Sequence, residues 1–190
     1  MSNVLVYTFF NPHHLTFKIL RSLDLGLVDG GDNCIDSRLP SFVNNFGRAQ
    51  RGNDIGMSVD KYYLGNLNSL AKHILETKPQ YVLGLGDFRK DGKNIRVENV
   101  FVNKYGRNKI VENGKEKYLA TWKIPEQNKI VFSQLGSWGP CNRSGYILSK
   151  VIEDNNLDTK LAFIHVPSSY PQVVVTKTLN GLLMCLDSKK

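Results

Sequence analysis

What the sequence is short of narrows the field first. Among 190 residues it has 3 cysteines, Cys34, Cys141 and Cys185. An odd, widely spaced set is no disulfide framework, and without a Cys-x-x-Cys pair it offers no zinc knuckle. Free thiols in a reducing compartment are expected, with no zinc site. Long apolar runs are also missing. The strongest, "YVLGLG" and "LAFIHV", fall well short of the roughly 20 residues a membrane helix needs. The first ten residues carry neither the basic nor the apolar region of a signal peptide. A soluble, cytoplasmic chain that does not contact membranes is therefore expected. There is no HExxH, GxSxG or Walker motif, and Gly84-Leu85-Gly86 lacks the third glycine of a dinucleotide fingerprint. A clustered basic stripe is missing too. The net charge is +8, but its lysines and arginines are dispersed through "KDGKNIR", "NKYGRNK" and "NGKEK" among Asn, Gly and acids. Ordinary surface lysines explain such a pattern, so nucleic acid is not an expected partner.

What is present is enough for a core. Hydrophobic residues make up 41% of the chain and charged residues 22%, which suits a single domain over residues 1–190. Residues 3–10 read as a buried first strand. Leu15, Ile19, Leu20 and Leu23 have helical spacing after an Asn11-Pro12 start signal. A short strand is expected near Cys34-Ile35 and a polar loop over residues 44–58. A helix is expected over residues 60–77, closed by Lys78-Pro79, and then a strand over residues 81–86. Residues 95–103 read as one alternating strand. Arg96, Glu98, Val100 and Val102 then share a face, where a carboxylate needs a reason. An Asn-Gly turn in "ENGKE" predicts a hairpin over residues 110–125. Residues 129–134 follow as a strand, 142–154 as a helix, 161–166 as a strand and 173–186 as a last helix. Strands alternating with helices predict an α/β fold, a three-layer α/β/α sandwich on a mostly parallel twisted sheet. Sites in such folds gather at the carboxyl ends of the strands.

Three residues in this frame carry chemistry. Cys141 follows the turn "SWGP" at the start of a predicted helix. Unpaired backbone N–H groups and the helix dipole favour a thiolate there and could hold an oxyanion. A small buried thiol under a turn fits the position as well. His165 ends the buried run "LAFIHV" ahead of Pro167, as a site residue or as a hydrogen-bonded core histidine. Glu98 is either an orienting acid or an edge carboxylate facing water. Together they make a nucleophile, a base and an orienting acid. The 24 positions from Cys141 to His165 leave room for a helix and a strand, a βαβ unit placing both at neighbouring strand ends.

The segments around these residues resemble pyroglutamyl peptidase I, the pyrrolidone-carboxylate peptidase family of cysteine peptidases. "FIHVP" resembles the family's catalytic-histidine strand, and "SQLGSWGPCN" its nucleophile segment with the Cys-Asn pair. "GLGDFRKDGKNIRVENVFVN" resembles its arginine-and-glutamate block. The resemblance implies Cys141, His165 and Glu98 as catalytic residues and Arg89 as the active-site arginine. "NVLVYTFFNP" is similar to the first strand and pocket loop, with Phe9, and Phe10 by a one-place shift, as the substrate-binding aromatics. Tyr7-Thr8 stands where the family has Thr-Gly, and His13-His14 where it has two glycines. The chain is longer than the family between Pro40 and Asp60, and shorter before Lys129. The implied activity is removal of N-terminal pyroglutamate from peptides with a blocked N-terminus, through a thioester and without a cofactor. Two other readings stay open: the same triad acting on a different small N-acyl or lactam amide, and a non-catalytic, RNA-binding protein on this scaffold. A homo-oligomer is also left open.

Overall fold

Apolar residues come in unbroken runs wherever a strand is covered on both sides, and three such runs form the middle of the sheet. They are β1 (Ser2–Phe9), β4 (Tyr81–Phe88) and β9 (Lys160–Pro167). Val4 through Thr8, Val82 through Gly86 and Leu161 through Pro167 are all buried. This computed structural model describes residues 2–9, 11, 13–22, 28–29, 57–88, 94–124, 130–133 and 139–187. The remaining elements are α1 (Leu15–Ser22), β2 (Val28–Asp29), β3 (Met57–Leu64), α2 (Leu67–Thr77), β5 (Ile95–Glu98), β6 (Val100–Val102), β7 (Lys117–Leu119), β8 (Ile130–Ser133), α3 (Pro140–Asp154) and α4 (Gln172–Asp187).

Among the described residues the main sheet has the order β2-β3-β1-β4-β9-β5-β8. β2, β3, β1, β4 and β9 run parallel, whereas β5 is antiparallel to β9 and parallel to β8. Helices α1 and α4 cover one face, with Ile19, Leu20, Val175 and Leu179 against Val6, Leu85, Ile164 and Val97. Helices α2 and α3 cover the other, with Leu70, Ile74, Tyr146 and Leu148 against Leu5, Tyr7, Val82 and Phe163. The fold is the expected α/β sandwich on a mostly parallel sheet. Among the described residues no helix is long and apolar enough to cross a membrane.

Five local expectations are corrected. Residues 60–64 are strand, not helix: β3 pairs in register along β1. The helix begins only at Leu67, where the Asn66 side chain accepts from the Asn68 N–H; Gly65-Asn66 is the break, read through in the sequence because Tyr63 and Leu67 keep helical spacing. Met57 and Ser58, expected in a loop, also belong to β3. Residues 95–103 are not one strand. Beyond Glu98 the next backbone groups of β9 are taken, because the Thr121 and Trp122 N–H groups both donate to the Leu161 carbonyl at 3.0 Å. The chain leaves the sheet at Asn99, and β6 pairs with β7 instead. So the hairpin does not close on "ENGKE". It joins β6 to β7 through a long loop built on Asn103, whose Oδ1 accepts from the N–H groups of Ile110 and Val111 at 2.9 Å each. Finally, β8, α3 and β9 are not a βαβ unit, since β5 lies between the two strands and β8 runs opposite to β9. The short strand expected at Cys34-Ile35 lies outside the described residues.

Candidate active site

Cys141 stands inside the first turn of α3, two residues further into helix than expected. Gly139 is the N-cap, without a side-chain cap, and Pro140 takes N1, where its missing N–H costs nothing. The turn is fastened by its neighbours. Asn142, fully buried, behaves like an extra strand partner: its Oδ1 accepts from the Val102 N–H at 2.8 Å, and its Nδ2 donates to the carbonyls of Val102 and Lys104 at 2.9 and 2.8 Å. The Ser144 hydroxyl donates to the Cys141 carbonyl at 2.9 Å and meets the buried Tyr7 hydroxyl at 3.0 Å.

The thiol rests on β4. A Cβ added to Gly86 would meet the Cys141 Sγ at 2.8 Å and two Phe163 ring carbons at 2.9 and 3.1 Å. Gly84, two places earlier on the same face, is glycine because the Phe163 and Tyr7 rings lie against it. The Gly-Leu-Gly run is therefore a seat for sulfur and rings.

Gly86 pairs in register with His165 on β9, so the thiol seat and the imidazole occupy adjacent strands on one face. Glu98 on β5 stands opposite Phe163, one step along that face from His165. It therefore shares its face with Phe163 and His165 rather than with Val100 and Val102. The Glu98 Oε1 lies 3.1 Å from the His165 Nε2, and the two residues are 3% and 6% exposed. Among the described residues both imidazole nitrogens and the Glu98 Oε2 lack a well-directed hydrogen bond. The ring is held by aromatics instead, with Phe163 at 5.1 Å and Phe88 edge-on at 6.2 Å between centroids. A buried carboxylate beside a buried imidazole is costly unless the two compensate each other.

The electrostatics overturn one expectation. The Cys141 thiol is pushed up to about 12, first by burial and then by the Glu98 carboxylate, with Asp87 adding to it. Its own backbone N–H at the sulfur pulls the other way and is outweighed. The resting sulfur is a neutral thiol, not the thiolate expected from the helix start.

Cys141, His165 and Glu98 thus converge on one sheet face. Phe9 lies at its edge, tilted against Phe163 at 6.5 Å. Phe10 and Arg89 fall outside the described residues. Sequence reasoning passed over the glycine seat, the Asn142 clamp and Asp87, whose carboxylate accepts from the Leu15 and Thr16 N–H groups at 2.9 Å each and anchors the start of α1. Glycines two apart on a buried strand were the available signal for the first.

No family model matches the chain, and no curated protein matches it. Solved structures do. A variant pyrrolidone carboxyl peptidase of Pyrococcus furiosus superposes over 100% of both chains, with a TM-score of 0.69 at 17% identity. This chain has the pyrrolidone carboxyl peptidase fold. The pyroglutamyl peptidase I of Bacillus amyloliquefaciens agrees, with 97% of this chain and 95% of that one covered, a TM-score of 0.68 and 16% identity. So does the pyrrolidone carboxyl peptidase of Thermococcus litoralis, with coverage of 100% and 97%, a TM-score of 0.68 and 18% identity. At such identity the pyrrolidone carboxyl peptidase fold is what is shared, and the chemistry has to be argued from this chain's own side chains.

Proposed function

We propose that the chain is a cysteine peptidase that removes an N-terminal pyroglutamyl residue from peptides. The observation that carries this reading is one arrangement: a thiol seated on Gly86, in register with His165, whose Nε2 lies 3.1 Å from the buried Glu98. With Nε2 turned to the carboxylate, Nδ1 is the nitrogen left for the reacting groups.

Because the thiol is neutral at rest, sulfur attack and proton transfer go together. His165 takes the Cys141 proton as the sulfur bonds to the pyroglutamyl carbonyl carbon. Glu98, 3.1 Å from Nε2, stabilises the imidazolium that forms. Collapse of the tetrahedral intermediate breaks the carbon–nitrogen bond, and His165 returns the proton to the departing amine. Water, deprotonated by the same imidazole, then hydrolyses the thioester and restores the thiol. Backbone N–H groups at the start of α3 are the natural donors to the oxyanion. Phe9, beside Phe163, offers an aromatic wall to a flat lactam ring. A working free thiol fits a reducing compartment such as the cytoplasm.

The test is hydrolysis of a pyroglutamyl fluorogenic amide by wild type and by Cys141→Ala. The variant should lose at least ~10³-fold in kcat. Activity that survives without the sulfur would sink the mechanism.

One observation favours a second substrate class. Thr8 stands where the resembling motif has glycine, and it is spent internally, donating to the Leu85 carbonyl at 3.1 Å and bonding Thr16 at 3.0 Å. A first strand rebuilt in this way suits another small N-acyl or lactam amide. Faster hydrolysis of N-acetyl or N-formyl aminoacyl amides than of the pyroglutamyl amide would decide for it.

A further inference from the structure

We propose that Arg96 receives a carboxylate on the leaving-group side of the scissile bond, so that the favoured substrates are short peptides whose free carboxylate lies within a few bonds of the scissile nitrogen. This rests on the peptidase reading above. Gly86, His165 and Arg96 form a single register row across β4, β9 and β5. Paired residues project to the same face, at roughly 5 Å per strand. The imidazole therefore has the thiol seat on one side and Arg96 on the other. The Arg96 guanidinium lies 4.5 Å from the Phe88 ring centroid, although Phe88 is on β4. The two side chains meet above β9, next to the His165 ring, which is itself edge-on to Phe88.

Arg96 is half-buried, and among the described residues no carboxylate pairs with it. Glu98, two positions along, is engaged by His165. A guanidinium over the Phe88 ring is held there without spending a hydrogen-bond donor, and such donors can bind a carboxylate bidentately. In the proposed reaction His165 protonates the departing amine, so the leaving chain passes over the imidazole and its next atoms come beside Arg96. The α-carboxylate of a pyroglutamyl dipeptide would sit there, whereas an amide or a long peptide would leave the cation unpaired.

The test has two arms. The first compares kcat/KM for pyroglutamyl-alanine and pyroglutamyl-alanine amide in wild type and Arg96→Gln. Wild type should favour the free acid by about tenfold, and Arg96→Gln should lose that preference mainly through KM of the acid. An equal loss on both substrates, or no loss, overturns the assignment. The second arm needs no hydrolysis: alkylation of Cys141 by anionic iodoacetate and by neutral iodoacetamide. The iodoacetate-to-iodoacetamide rate ratio should fall about threefold or more in Arg96→Gln and be kept in Arg96→Lys. An unchanged ratio in Arg96→Gln overturns the assignment. If neither dipeptide is hydrolysed, the pyroglutamyl reading fails and the alkylation ratio alone decides Arg96.

Discussion

Gly86→Ala isolates the seat of the thiol. Among the described residues the only glycine with positive φ is Gly106, so alanine at position 86 meets no backbone obstacle and any effect is steric. The new Cβ would stand 2.8 Å from the Cys141 Sγ and 2.9 Å from a Phe163 ring carbon. Ordinary contacts between such atoms are about 3.5–4.0 Å, so something must give by roughly 1 Å. Phe163 cannot give freely: it is fully buried between Tyr7, Phe9 and His165. The sulfur must therefore move, by rotation of its side chain or by a lift of the first turn of α3. A displacement of ~1 Å at a reacting atom costs on the order of 10²-fold in rate. Overpacking adds about 1–3 kcal/mol of destabilisation, or roughly 2–10 °C in Tm for a chain of this size. The assay is kcat on the pyroglutamyl amide, beside the iodoacetamide rate at Cys141 and a thermal melt. Gly84→Ala is the control, because its Cβ meets the Phe163 and Tyr7 rings but not the sulfur. It should cost as much stability with a smaller loss of kcat. Wild-type kcat and alkylation in a folded Gly86→Ala would refute the idea that the sulfur rests on that strand.

Two further outcomes follow from the same neighbourhood. Asn142→Ala removes three buried hydrogen bonds that tie α3 to the β6 edge, and should cost about 2–4 kcal/mol in urea unfolding. Asn142→Asp should cost at least as much, since a carboxylate would face the Val102 and Lys104 carbonyls that now accept hydrogen bonds; a change within ~0.5 kcal/mol for either would show that the clamp is idle. The Cys141 thiol is raised from its ordinary 9.0 to about 12, so the folded protein prefers its protonated form. That contribution is present in full below pH 9.0 and is lost as pH rises through about 12. Urea unfolding should lose stability more steeply above pH 9.0 for wild type than for Cys141→Ser, by up to a few kcal/mol. Parallel curves would refute the buried neutral thiol.

Much of the frame was legible locally. The runs over residues 4–7 in β1, 82–86 in β4 and 161–164 in β9 carry no polar side chain outside Tyr7, as strands covered on both faces need. The final helix and the helix behind Cys141 showed their periodicity, and the convergence of Cys141, His165 and Glu98 was proposed from their places at element ends. The errors share a cause. β3 kept a helical spacing of apolar residues, and only its pairing along β1 makes it a strand. The run from Ile95 to Val102 has strand character throughout, yet it breaks at Asn99 because residues 121 and 122 occupy the next rung of β9. Gly84-Leu85-Gly86 is too sparse for a nucleotide motif, and its use depends on rings and a sulfur from distant segments.

The sequence by itself determined which segments must be buried and which residue types could carry a thiol-based reaction, because periodicity and composition act over a few neighbouring positions. Tertiary structure alone decided the rest. Insertion of β5, reversed, between β9 and β8 put Glu98 beside His165 and Arg96 across from it, through pairings between residues far apart in the chain. Packing against β4 and the carboxylates of Glu98 and Asp87 set the proton on Cys141. Desolvation and like charge are sums over everything nearby in space, and in this fold they outweigh what a helix start does to a thiol on its own.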